Sequence, residues 1–247
     1  MARAKAKDDV VSRRAERRER HQMLSRAQLL DAAEEVFGRQ GYHETTLKEI
    51  AELAEFSVGS VYSFFENKDD LFRQIFVRRG EEFMPQLREV LQPDQGAPVD
   101  QLHRLVDFEI GWFRRNRHFG RLYLQHSSAA MLSLDREVDA AMAANYEESM
   151  RLQAGLFERG QEAGQFRPGD PHVLARLFSG IMSAYQALDP AVVSDEADPG
   201  ERFPLGDLHD VVTGAFVLPS ARRRPARARP SGGERTGSSS GGARRGG

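Results

Sequence analysis

The chain has 247 residues, 40% hydrophobic and 29% charged, which is enough apolar material for a sizeable core in one or two domains. It has no cysteine, so disulfides and thiolate metal sites are excluded, and no apolar run reaches the roughly 18 residues that would span a bilayer. The formal charge of −2 hides an asymmetry: residues 1–28 carry nine basic and four acidic side chains, residues 219–247 eight and one, and the stretch between them 18 and 32. An acidic body with two basic ends points to a polyanion as the partner of the ends. The Arg-rich start lacks an apolar segment, so it does not read as a secretory signal.

Residues 1–22 read as a disordered basic arm. From Leu24 to about Gln40, Leu30, Ala33 and Phe37 recur at helical spacing, and Gly41 ends that helix as a C-cap glycine. In "TTLKEIAELA", Thr46 and Glu49 have the spacing of a capping box, and Leu47, Ile50, Ala51 and Ala54 form the apolar stripe of a short helix. Ser57 is a good N-cap for a second short helix to about Phe64, so the pair reads as a helix-turn-helix. Val61 and Phe65 face inward with Phe56, which leaves Val58, Gly59, Ser60, Tyr62 and Ser63 on the outer surface. Asn67 caps the next helix, which has Asp69 and Asp70 in its first turn and Pro85 as a kink point.

Further helices are expected at about 98–117, 119–131, 134–163, 171–188 and 205–218, with no convincing strand and no internal repeat. A long acidic loop, "DPAVVSDEADPGERFPLG", precedes the last helix. The Gly/Ser/Arg-rich end, 219–247, cannot bury a core and reads as a disordered tail. The fold class is all-α.

The stretch "TTLKEIAELAEFSVGSVYSFFENKDDLF" resembles the DNA-binding domain of the tetracycline-repressor (TetR/AcrR) family of transcription regulators. Thr45, Thr46, Ile50, Ala51, Ala54, Ser57, Gly59, Tyr62, Phe65, Lys68 and Leu71 match the family pattern at fixed spacing. Three positions depart from it. Glu55 stands where the family has glycine in the turn, which costs about 1 kcal/mol or more if φ is positive there. Val58 replaces a common basic residue, and Phe64 a common tyrosine or histidine.

The resemblance implies a DNA-binding domain at 23–67 and a helical effector-binding and dimerisation domain at 68–218. It implies that the second helix of the motif enters the major groove of double-stranded DNA. Thr45, Thr46, Tyr62 and Lys68 would contact phosphates, and Ser57, Val58, Gly59 and Ser60 would face the bases. The competing reading makes Ser57 only a cap and packs Tyr62 on the first helix. The basic N-terminal residues are an arm for phosphates or the minor groove, or else only a solvated extension.

In the body, Trp112, Phe113, Phe119, Tyr123, Met131, Tyr146, Met150 and Phe178 are candidate walls of an effector cavity, or simply core. The helices at 171–188 and 205–218 would form a homodimer interface. The implied protein is a cytoplasmic repressor that binds a palindromic operator and is released by a small, apolar effector. No cofactor, metal site or membrane contact is expected, and His103, His118 and His126 make a weak case for a metal. No catalytic constellation appears. Two rivals stay open: a regulator without an effector, which a collapsed body would favour, and an all-α enzyme, which an acid–base pair inside the cavity would favour.

Overall fold

The computed structural model describes residues 2–94, 96–132, 140–194 and 204–221, with side chains described except at 2–15, 126–132 and 140–142. Its helices are α1 (Ala2–Gln40), α2 (Leu47–Leu53), α3 (Val58–Tyr62), α4 (Lys68–Val90), α5 (Pro98–Arg115), α6 (Arg117–Leu132), α7 (Ala140–Glu162), α8 (Pro171–Leu188), α9 (Pro190–Val193) and α10 (Leu205–Phe216). Among the described residues the only bridge is between Phe166 and Val217, so the architecture is all-α as expected.

Two elements differ from the sequence reading. α1 begins at Ala2, so residues assigned to a disordered arm carry helical backbone. Residues 2–22 are rich in Ala, Arg, Lys and Glu, all good helix formers, and no glycine or proline interrupts the chain before Gly38. The side chains of 16–24 are exposed, so this stretch runs as a charged rod with little packed against it. The second difference is α9, inside the expected acidic loop. Asp189 caps it by accepting from the Ala191 N–H at 3.1 Å, and Pro190 occupies its first turn. Asp189 is fully buried and pairs with the Arg114 guanidinium at 2.7 Å. The expected tail beyond residue 221, the loop at 195–203 and the first residues of the helix expected at 134–163 lie outside the described residues.

Two apolar cores are stacked along the molecule. The first holds Leu30, Ala33 and Phe37 of α1, Ile50 and Ala51 of α2, Val61 and Phe65 around α3, and Leu71, Ile75 and Phe76 of α4. The second holds Met84 and Leu87 of α4 together with Leu102, Leu105, Phe157, Phe178 and Phe216 from the body. α4 therefore belongs to both, its first half to one core and its second half to the other. It remains a single helix through Pro85, which has no N–H for the carbonyl of Glu81. Glu81 is exposed, so water can take that place.

The reader end is tied to the body at two further points. Glu34 of α1, buried, accepts from Arg78 at 3.0 Å and from Arg79 at 2.8 Å, both on α4. Gly38 of α1 lies against α6 so closely that an added Cβ would be 2.7 Å from the His118 carbonyl oxygen and 2.9 Å from its Cα. Backbone cannot move aside cheaply, so only glycine fits.

Gly38→Ala is therefore expected to destabilise the protein by about 1–3 kcal/mol through overpacking, read as a lower urea midpoint. An unchanged midpoint would show that α1 and α6 can part freely.

Candidate nucleic-acid interface

The helix-turn-helix is assembled from backbone-capping interactions. Thr46 and Glu49 form the capping box: the Thr46 N–H donates to the Glu49 carboxylate at 2.8 Å, and the Glu49 N–H donates to the Thr46 hydroxyl at 3.3 Å. The bond from the Thr46 backbone is the main reason the Glu49 carboxyl titrates below its usual range. α2 then ends in a Schellman turn, in which the Phe56 N–H donates to the Ala51 carbonyl at 2.8 Å and the Glu55 N–H to the Glu52 carbonyl at 3.2 Å. Glu55 occupies the left-handed position of that turn, with φ +61°. The turn thus keeps its geometry with a glutamate in place of glycine.

Ser57 caps α3 by accepting from the Ser60 N–H at 3.1 Å, and its hydroxyl lies 2.8 Å from that of Ser60. Val61 and Phe65 are buried, and Val58, Gly59, Tyr62 and Ser63 are exposed. Tyr62 is 57% exposed, so more than half of its side chain is open to a partner outside the protein. An added Cβ on Gly59 would meet only the Ser57 hydroxyl at 3.8 Å, an ordinary contact. The fold itself therefore does not require glycine there, although a mid-helix glycine costs about 1 kcal/mol relative to alanine. Its use lies outside the protein, where a backbone without a side chain admits a close neighbour.

Two residues expected at phosphates are engaged inside the protein. Thr45 is 1% exposed, and its hydroxyl donates to the Gly41 carbonyl at 2.7 Å. Lys68 lies over the Tyr42 ring at 4.4 Å and donates to the Thr45 carbonyl at 2.7 Å. Together they fasten the loop between α1 and α2, which orients Thr46 and the start of α2. Thr46, Ser57, Val58, Gly59, Ser60 and Tyr62 remain on the outer side. Acidic side chains surround this face, and basic ones cluster along the exposed start of α1, where Arg17, Arg18 and Arg20 are free of burial.

The aromatic candidates of the body do not form one wall. Trp112, Phe113 and Phe119 belong to the reader-side core, with Phe83–Trp112 ring centroids 5.0 Å apart and Phe76–Phe119 5.2 Å apart. Phe178 lies in the other core with Phe157 and Phe216. Tyr123 packs on Phe113 at 5.3 Å, Met150 is buried and Tyr146 is at the surface. The Met131 side chain lies outside the described residues. The histidines are not gathered either: His103 bonds Thr213 of α10 at 2.9 Å, His118 packs on Gly38, and the His126 side chain is outside the described set. Among the described residues no cluster of three metal-ligating side chains occurs, and no helix is long and apolar enough to cross a membrane.

The sequence reading missed Glu109. It is buried in the inward stripe of α5 between Val106 and Trp112, and burial pushes its carboxyl up to about 8. The signal was present: an acid at the core position of a stripe that otherwise reads Leu102, Leu105, Val106, Ile110, Trp112, Phe113. Gln153 of α7, also buried, donates to it at 3.3 Å. Burial, with the Glu109 charge second, pushes the Tyr123 phenol up to about 12.

Residues 29–75 match the model for bacterial regulatory proteins of the tetR family. That segment is similar to the tetR family. The match covers the last part of α1, α2, α3 and the first part of α4. An uncharacterised HTH-type transcriptional regulator of Bacillus subtilis (strain 168), YhgD, is 28% identical over 167 residues, which is 66% of this chain and 84% of that protein. Two solved structures share the fold over most of the chain. One is a protein of Saccharomonospora viridis assigned as a transcriptional regulator, in complex with choline (TM-score 0.64, 17% identity, 79% of this chain and 99% of that one). The other is AibR in complex with isovaleryl coenzyme A and operator DNA (TM-score 0.63, 22% identity, 78% and 98%). The chain is thus similar to transcriptional regulators rather than to enzymes.

Glu55→Gly removes the left-handed strain at the turn and is expected to raise stability by about 1 kcal/mol, seen as a higher thermal midpoint. A lower midpoint would mean that Glu55 makes a compensating contact.

The raised carboxyl of Glu109 also has a pH signature. The unfolded chain ionises it above its ordinary 4.5 and the folded chain only near 8. Its contribution to stability is full below 4.5 and falls as pH rises through 8. Glu109→Gln has no proton to lose, so its advantage over the parent should grow by up to about 1.4 kcal/mol per pH unit across that window. Parallel stability–pH curves would show that Glu109 ionises at an ordinary pH.

Proposed function

We propose that this protein is a cytoplasmic repressor that binds a palindromic operator as a homodimer and leaves it when a small effector enters the body. The observation that carries the DNA-reading part is Gly59, an exposed helical glycine that the fold does not need. In this reading α3 lies in the major groove, Thr46 and Tyr62 hold phosphates, and Ser57, Val58, Gly59 and Ser60 face base edges. Thr45 and Lys68 act indirectly by fixing the loop before α2. The exposed basic start of α1 supplies charge that the acidic surroundings of α3 lack.

Dimerisation is supported by apolar side chains left exposed on α8 and α10. Val173, Leu177 and Leu188 of α8 and Val211 of α10 are each more than half exposed. Such residues on two neighbouring helices suit a two-fold interface that buries them. Release follows from α4. An effector that shifts its body half must also shift its reader half, and two readers displaced by a few ångströms lose the spacing of the half-sites. The effector must bind the two states with different affinity for this to occur. The complex of AibR with isovaleryl coenzyme A and operator DNA, and the choline complex of the Saccharomonospora viridis protein, support an effector here by analogy of fold.

Gly59→Ala separates DNA reading from folding. Its thermal midpoint should stay level or rise, because the added methyl meets open space and favours helix. Operator affinity should fall about tenfold or more, since a methyl held against a base edge costs about 1–3 kcal/mol. Unchanged operator affinity would remove α3 from the groove.

A further inference from the structure

Three acidic side chains are buried among the described residues: Glu34, Glu109 and Asp189. Glu34 is paired with Arg78 and Arg79, and Asp189 with Arg114. Glu109 differs. Among the described residues its one hydrogen bond is the 3.3 Å contact from the Gln153 amide, and no guanidinium or ammonium meets it. The same amide donates to the Ser149 hydroxyl at 3.2 Å, while the buried Gln153 carbonyl oxygen has no partner among the described residues.

Among the described residues, α5 and α7 thus bring two buried acceptors together with nothing of their own to neutralise them. A carboxyl kept in such a place lowers stability relative to an apolar residue of similar size. Groups of this kind concentrate at functional sites. The surroundings are aromatic: Trp112 and Phe113 follow Glu109 by one turn of α5, and Tyr123 of α6 packs on Phe113 at 5.3 Å. Tyr123 is near enough for its charge to couple with that of Glu109. Aromatic faces attract cations and do little for anions.

We propose that the junction of α5, α6 and α7 receives the positively charged head of a lipophilic organic cation, with Glu109 as its counter-charge, the Gln153 carbonyl dipole turned to it, and Trp112, Phe113 and Tyr123 around it. This rests on the effector reading above and changes its ligand class, from simply apolar to apolar with a cationic head. The closed alternative is a protonated Glu109 that donates to Gln153 with the amide turned over, a self-satisfied pair that takes no ligand.

Trp112 is the one tryptophan of the chain, so its fluorescence reports on this junction. The full-length protein and Glu109→Gln are titrated with benzyltrimethylammonium and with neopentylbenzene, a neutral probe of the same shape. Thermal melts confirm that both proteins are folded. The expected result is that the cation quenches Trp112 in the parent and binds Glu109→Gln about tenfold or more weakly, while the neutral probe binds both alike. Equal cation affinity in the two proteins overturns the inference. If the neutral probe alone binds, the cation falls and the effector reading stands. Binding of neither also overturns the inference, and a screen for operator release then decides the effector reading by itself.

Discussion

α3 is five residues long and cannot hold itself together in water, because a helix of that length does not repay the cost of its first turn. It exists because Val61 and Phe65 are drawn into the core formed by α1, α2 and α4. That anchoring fixes the rotation of the helix. With Val61 and Phe65 inward, Val58, Gly59 and Tyr62 have to face outward. The presented face is set by what lies beneath it, and the Schellman turn at Glu55 sets the angle at which it is presented. Strain at one glutamate is tolerated because the turn's two hydrogen bonds and the buried anchors hold its geometry.

The same economy joins the two halves of the molecule. α4 starts in the reader core at Leu71 and ends in the body core at Leu87, and a continuous helix transmits displacement along its length. Glu34 clamps α1 to it through two arginines, and Gly38 lets the α1 backbone lie against that of α6 at His118. A change in packing around α5, α6 and α7 therefore has short, stiff routes to α3. Trp112, Phe113 and Phe119 lie on those routes. They share one core at that joint, and Glu109 is the polar group on the same stripe of α5.

Local signals made much of this legible in the sequence. The capping box at Thr46, the cap at Ser57 and the period of Val61 and Phe65 are short-range features, and the structure has each of them. Most helices of the body followed from apolar spacing, with α9 the exception. What was illegible depends on long-range placement. Nothing near Thr45 in sequence says that its hydroxyl turns to Gly41, or that Lys68 reaches back to that loop. Gly38 reads as an ordinary helical glycine until His118 is brought against it. The start of α1 is helical where its charge suggests disorder, because alanine and arginine without glycine or proline favour helix. Glu109 broke the pattern of its own stripe, and an acid in a core position is a cue to look for its partner.

The claim on which the account turns is that the outward face of α3 reads a DNA sequence as one of a two-fold pair. The most direct test is to recover, with the purified protein at near-physiological salt, the fragments it binds from genomic DNA, and to align them. The account predicts one short palindrome whose half-sites are about one helical turn apart, or a multiple of that. Recovery of fragments with no shared sequence, held only by charge and lost as salt is raised, would contradict it.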